Sequence, residues 1–368
     1  MSHRRRPVPI GDMGPGLRRD DKESAALSAI GTAMTIQADR TPPLSLLSER
    51  LLRLVFGLGE APMALLQRLL GMRRLPWAFL APNLVVFGIF TFLPIVINVY
   101  YAVTGGAQLL PRDRPFVGAE NFSDLLVCQN YLDPTSCRRD LFWFGVWNTL
   151  TFVLLQVSLM VFFSLVTALV LNRKVLGQSF FRAVFFYPVL LSPVVVALIW
   201  KWILQRQGLL NAGLAGGGLT QVNWLLDAHW AFFWTVFVSI WAHMGFYTLI
   251  LLAGLQAIPA DIYEAAAMDS AGLWRTFRRI TLPLLAPNLA VVLVLALIRA
   301  VQIFDEVYVL TGGGPGSATT FMVQYIYQTA FTQQVRQYGL AAAASLMLAA
   351  ILFGLTMVQL RLTRENPK

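Results

Sequence analysis

Three groups of residues in this 368-residue chain could do chemistry by their types and spacing. Arg299, Gln302 and Glu306 follow i, i+3, i+7 and would share one face of a helix. Ser239, His243 and Tyr247 follow i, i+4, i+8, with Trp241 nearby, and Asn148 and Gln156 lie two turns apart. Amides and charged groups bond hydroxyls, while tryptophan and tyrosine offer flat apolar faces to a ring, so the set suits a sugar-like solute. If the charge of Arg299 is not cancelled internally, it favours a sulfonate, phosphate or carboxylate instead. The competing reading is that these groups tie helices together, for example through an Arg299–Glu306 pair, with His243 bonding between helices.

Other chemistries lack their residues. The histidines His3, His229 and His243 are scattered without ligand spacing, so neither a metal site nor the acid/base cluster of a membrane enzyme is read here. The glycine-rich stretch TGGGPGSATT, Thr311 to Thr320, lacks the lysine and hydroxyl of GxxxxGK[ST] that would meet a nucleotide's phosphates and Mg²⁺. Its glycines read as a tight turn. Cys128 and Cys137, in VCQNYLDPTSC, can close a short loop in an oxidising compartment, worth about 2.5 to 3 kcal/mol by chain-entropy arithmetic. Two independent thiols are the other reading.

What must position these residues follows from composition. The chain is 57% hydrophobic and 13% charged, with a mean hydropathy of +0.61; soluble proteins carry about 25% charged residues. This is a membrane protein, and its net charge of +10 reads as basic residues held on the cytoplasmic side, not as a nucleic-acid footprint. A spanning helix needs about 20 apolar residues. Six stretches qualify: Trp77 to Val103, Phe144 to Leu171, Ala183 to Leu204, Trp230 to Leu255, Leu289 to Leu310 and Gly339 to Leu360. The expected fold is therefore all-α and polytopic, with six transmembrane helices over 77–361. Lys201 lies near one end of the third, where its long stem can snorkel to the interface.

Residues 1–43, polar and rich in Arg, Pro and Gly, read as a disordered extension. Residues 44–76 read as an amphipathic interfacial segment, and 362–368 as a short tail. Six spans put both termini on one side. The segments on that side carry Arg68, Arg73, Arg74, Arg173, Lys174, Arg182, Arg275, Arg278, Arg279, Arg361, Arg364 and Lys368; the opposite set carries Arg112, Arg114, Arg138, Arg139, Lys201, Arg206 and Arg336. Twelve against seven places the termini in the cytoplasm and the Thr311–Thr320 turn outside.

Between the fourth and fifth spans lies AIPADIYEAAAMDSAGLWRTFRRITLPLLAP, Ala257 to Pro287. Pro259 suits a helix start, Asp261 and Glu264 complement its positive end, and the alanines favour it. Gly272 is expected to end this helix, and Pro283 and Pro287 to fix the return into the membrane. A short helix with a small-residue face lets another protein approach closely, although an ordinary interhelical loop fits the same residues.

Glu264, Ala265 and Ala266, followed by Ile280, Leu282 and Pro283, resemble the EAA loop of permease subunits of binding-protein-dependent ABC importers: EAA, three residues, glycine, nine residues, I-x-L-P. Ser270 stands at the glycine position, and Gly272 follows two residues later. PWAFLAPNLVVFGIFTFLPI, FVGAENF, FWFGVWNTLTF and FDEVYVLTGGGPGSATT extend the resemblance, from about Trp77 to Leu360, to the maltose-permease-like sugar subunits. It implies a transporter subunit of a bacterial inner membrane that pairs with a second, similar permease. It also implies two copies of a cytoplasmic P-loop ATPase, which bind the ATP and Mg, and an extracytoplasmic solute-binding protein. On the matching positions Glu264, Ala265, Ala266, Asp269, Gly272, Ile280, Leu282 and Pro283 would form the ATPase-coupling site, with Gly272 letting the loop turn. No cofactor is expected in this chain. The cargo would be a sugar or sugar-like solute, an oligosaccharide, glycoside or glycerol-phosphate type. An ion-coupled secondary transporter is the alternative, against which stand the EAA match and the lack of a clear internal repeat.

Overall fold

The computed structural model describes residues 71–73, 76–77, 79–173 and 177–364, of which 362–364 by backbone alone. The expected disordered 1–43 extension, nearly all of the 44–76 interfacial segment and the end of the 362–368 tail lie outside the described residues. By its contacts the chain divides into two units, Met1–Phe90 and Thr91–Lys368. The described part of the first is residues 71–73 and 76–77 and the beginning of helix α1, Phe79–Ala102. The second continues through α2 (Glu120–Leu126), α3 (Asp140–Leu171), α4 (Gln178–Phe186), α5 (Pro193–Leu204) and α6 (Leu209–Gly216). Then come α7 (Ala228–Gln256), α8 (Ala260–Met268), α9 (Leu273–Val301), α10 (Asp305–Leu310), α11 (Met322–Tyr327) and α12 (Tyr338–Arg364). Among the described residues the extended pairings are two isolated bridges, Thr104 with Phe116 and Cys128 with Cys137.

Helices α1, α3, α7, α9 and α12 are each long and apolar enough to cross a membrane. Helix α7 is central: 56% of its most apolar window is buried, against 28% for α3 and 22% for α9. Its buried face, Val236, Ile240, Tyr247, Leu251 and Leu255, shares a core with Phe152 and Met160 of α3 and with Leu285, Val292 and Ala296 of α9. Two glycines let α7 pack this closely. A Cβ on Gly254 would come within 2.6 Å of Asn288 on α9, and one on Gly245 would run into the Phe185 carbonyl at the end of α4.

Two expected spans differ. The third is not one straight helix: Gln178–Leu190 and Pro193–Gly216 are apolar enough to span only when taken together, and they meet at a 102° bend. Tyr187–Leu190 tightens into a 3₁₀ turn and Ser192 is extended, with ψ 139°. Pro188 and Pro193 have no N–H to carry a helical ladder through this stretch. The fifth begins not at Leu289 but at Leu273, so the expected re-entry at Pro283 and Pro287 lies inside a continuous helix, with a π turn over Phe277–Thr281 just before Pro283. It then breaks after Val301. Phe304 has φ −149° and the chain turns helical again at Asp305, whose carboxylate, with that of Glu306, suits the positive end of α10.

Lys201 Nζ donates to the Val309 carbonyl at 2.9 Å, satisfying the last turn of α10 with a cation. Beyond α10, Thr311–Thr320 forms a compact loop in which Gly312, Gly313 and Gly316 have positive φ. Thr319 Oγ1 donates to the Gly314 carbonyl at 2.7 Å and lies 2.7 Å from Thr311 Oγ1. At the same end of the bundle the sulfurs of Cys128 and Cys137 are 2.00 Å apart, bonded across a small hairpin. Arg138 and Arg139 clasp Asp124 of α2 at 2.8 and 2.6 Å.

Candidate functional site

The two breaks face each other. Pro188, Val189, Leu191 and Pro193 from the first, with Ile298, Arg299 and Gln302 from the second, line a groove of about 510 Å³ whose third wall is Ala242, His243, Phe246 and Tyr247 of α7. The missing Cβ of Gly245 is what allows the Phe185–Pro188 segment to lie against α7 here. Ionisable groups in a spanning bundle are costly unless they face one another or a wet cavity, and three gather at this groove. Arg299 Nη2 donates to His243 Nε2 at 3.0 Å and lies 3.6 Å from Glu306 Oε1. His243 Nε2 is 3.4 Å from the same carboxylate oxygen. His243 Nδ1–H donates to the Ser239 carbonyl at 2.9 Å, so the Nδ1–H tautomer, with Nε2 free to accept, satisfies both contacts. Glu306 is almost fully buried, whereas 47% of the Arg299 side chain is exposed.

Of the eight residues expected on a solute path, His243, Tyr247, Arg299 and Gln302 line this groove, and Glu306 reaches two of them from behind. The other three are elsewhere. Asn148 Nδ2 donates to the carbonyls of Ser317 and Thr320, at 2.7 and 3.1 Å, and ties α3 to the glycine loop. Gln156 is buried within α3, and Trp241 packs edge-on against Trp200, ring centroids 5.5 Å apart. Arg299 and Glu306 do not share a helix face as i, i+7, because the chain breaks between them. A neighbouring feature lies outside that set of eight: Phe304, Tyr308 and Tyr327 form a ring cluster beside the second break, with centroids 5.0 to 5.4 Å apart. A run of aromatic residues in FDEVYVL and VQYIYQ was the signal available.

At the other end of the bundle, α8 presents Glu264, Ala265 and Asp269 to solvent, while Ala266 is buried. Ile280 and Leu282 are half-buried on the first turns of α9, and Pro283 is exposed. Gly272 does not make the turn. Helix α8 ends in a Schellman arrangement in which Ala271 N–H donates to the Ala266 carbonyl and Ser270 N–H to that of Ala267, both at 3.0 Å. That geometry needs a left-handed residue at 270, and Ser270 supplies it with φ 53°, alone among the described non-glycine residues. Gly272 sits at φ −64° and ψ 157°, which any residue adopts, as the N-cap of α9. Ala266, Asp269, Ala271, Arg275, Thr276, Arg279 and Ile280 line a small groove beside this turn. Among the described residues there is no group of His, Cys, Asp and Glu that could hold a metal ion.

Residues 160–365, which include the groove and the α8 turn, match the family described as "Binding-protein-dependent transport system inner membrane component". The chain belongs to this family. The permease is 36% identical over 292 residues to the trehalose/maltose transport system permease protein MalF of Thermococcus litoralis, covering 79% of this chain and 94% of that one. It is 34% identical to the sulfoquinovosyl glycerol transport system permease protein SmoG of Agrobacterium fabrum, over 81% and 92% of the two chains. Its fold matches a chain in the crystal structure of a bacterial ABC transporter involved in the import of the acidic polysaccharide alginate, with a TM-score of 0.68 and 26% identity, over 80% of this chain and 97% of that one. The permease is thus a multi-pass, nearly all-helical inner-membrane component.

Proposed function

We propose that this permease is one of two membrane subunits of an ATP-driven sugar importer. It receives a sugar or oligosaccharide from an extracytoplasmic binding protein and passes it along the groove between the two helix breaks. The observation that carries this reading is the meeting of two interrupted helices at a groove where four polar side chains, His243, Tyr247, Arg299 and Gln302, stand among apolar ones inside an apolar bundle. Non-helical backbone within a membrane is tolerated where it is buried in protein or lines a water-filled cavity, and a path for a hydroxyl-rich solute is such a cavity. Arg299, Gln302, His243 and Tyr247 supply donors and acceptors, and Phe246 a ring face. At the opposite end, α8 with exposed Glu264, Ala265 and Asp269 docks on a cytoplasmic ATPase, which binds the ATP and Mg, and both termini lie on that side. The relatives' names support a saccharide, trehalose and maltose in one case and the acidic polysaccharide alginate in another.

Reconstitution in proteoliposomes tests the proposal. Alone, the chain is expected to show neither ATP hydrolysis nor sugar uptake. With a second permease, the ATPase and the binding protein added, uptake should follow ATP. Accumulation of a solute by the isolated chain under a proton or sodium gradient would instead make it a secondary transporter.

A further inference from the structure

Resting on the reading of the groove as part of the solute path, a sharper statement about the cargo comes from its charges. Arg299 is the one charged side chain among the residues that line it. With 47% of that side chain exposed, the guanidinium is open to the groove, yet Glu306 lies 3.6 Å behind it with only 5% of its own side chain exposed. Within salt-bridge distance of Glu306, among the described residues, are Arg299 and His243. The imidazole adds no positive charge, because its Nδ1–H is committed to the Ser239 carbonyl and its Nε2 accepts from Arg299. A carboxylate this deeply buried needs its counter-charge, so the negative charge of Glu306 is spent on Arg299. The three groups sum to zero. Arg299 Nη2 donates to His243, while its 3.6 Å contact with Glu306 is an ion pair and not a hydrogen bond, so the rest of its fork of N–H donors is left for the groove.

We infer that Glu306 sets the charge selectivity of the path. By cancelling Arg299 it makes the groove one for an uncharged, hydroxyl-bearing solute, and the same groove without the Glu306 charge would accept an anionic one. Glu306 acts through Arg299, as a specificity-determining residue that does not itself line the groove.

The charge of the groove can be read with a thiol probe. Cys128 and Cys137 are bonded to each other, so Gln302→Cys introduces a single reactive thiol on the groove wall in the full-length chain, assembled with its partner subunits. Its reaction with anionic sulfonatoethyl and cationic trimethylammonioethyl methanethiosulfonate is followed by mass spectrometry of the peptide containing position 302. The ratio of the two rates is expected to lie within about threefold of that for a free thiol in solution, and Glu306→Gln should shift it toward the anionic reagent by about tenfold. A Gln302→Cys chain with Glu306 intact that already prefers the anionic reagent by about tenfold would overturn the inference. That arm needs no change at Glu306, so it decides even if Glu306→Gln fails to assemble. Failure of both reagents to reach the thiol would count against the groove as a path, a separate result.

Discussion

Arg299 Nη2 and Glu306 Oε1 are 3.6 Å apart, although seven residues of unbroken helix would separate them by about 10.5 Å along the axis. The break at Gln302–Phe304 is what brings them together. Arg299→Ala leaves a buried carboxylate without its cation, a loss of about 3 to 5 kcal/mol for a fully buried pair and less here, where the arginine is half exposed. The expected result is a lower yield of assembled subunit that Arg299→Ala combined with Glu306→Gln largely restores, while uptake stays lost in both. Rescue of uptake as well as yield by the double change would retire Arg299 as a solute contact.

Gly245→Ala is expected to damage the groove without replacing any of its polar side chains. A methyl there meets the Phe185 carbonyl, which is backbone and cannot swing aside, so α7 and the end of α4 must part. Overpacking of this kind costs about 1 to 3 kcal/mol. Thermal unfolding of the purified chain should show a lower midpoint; an unchanged midpoint would mean that α7 and the end of α4 do not pack in contact at Gly245.

The α8 turn predicts different outcomes for two residues only two positions apart. Ser270→Gly relieves a left-handed residue and should stabilise the chain by about 1 kcal/mol. Gly272→Ala should be close to neutral, since its φ is ordinary and an added Cβ meets nothing within 4 Å. Melting temperatures of the two variants settle the order; a reversal would restore Gly272 as the turning residue.

Glu264→Lys should abolish uptake while leaving insertion and yield unchanged. Glu264 is exposed on α8 and makes no ion pair among the described residues, so its reversal acts on a partner, where juxtaposed like charges can cost several kcal/mol. Normal ATP-driven uptake by this variant would remove Glu264 from the coupling surface.

Replacing Cys128 and Cys137 together by serine should loosen the hairpin between α2 and α3, with a loss of about 2.5 to 3 kcal/mol from the closed loop. Peptides of the native protein digested without reductant should contain the linked pair. Two free thiols in protein from native membranes would contradict it.

Four of the six expected spans were legible within a few residues, because an uninterrupted apolar run of bilayer length has few other uses. The breaks were harder to read. Pro188 and Pro193 lay in plain view inside the third run, but hydropathy averages over them, and proline in an apolar stretch kinks a helix as readily as it ends one. In the fifth, Asp305 and Glu306 are the acids of a new helix start, a signal hidden by treating Arg299 to Glu306 as one face. His243 and Tyr247 were found because a polar residue among apolar ones stands out; that Asn148 turns to the glycine loop, while His243 turns to Arg299, depends on neighbours distant in sequence. The same limit applies to the turn of α8. The EAA spacing pointed to position 270, yet residue type alone favoured Gly272, and only the backbone angles show which residue bears the left-handed turn.

Helix α9 runs without interruption from Leu273, beside the α8 turn, to Val301 at the groove, so it can serve as a lever about 39 Å long between Leu273 and Arg299. Tilting it by roughly 10° about its Leu273 end would carry Arg299 through about 7 Å. Glu306 lies past the break, on α10, which is held to α5 by Lys201, and would not have to follow. The ion pair then closes at one setting of the lever and opens at others, which makes it a gauge of angle as well as a neutraliser of charge. An Arg299–Glu306 separation that stays fixed throughout the transport cycle would rule this out.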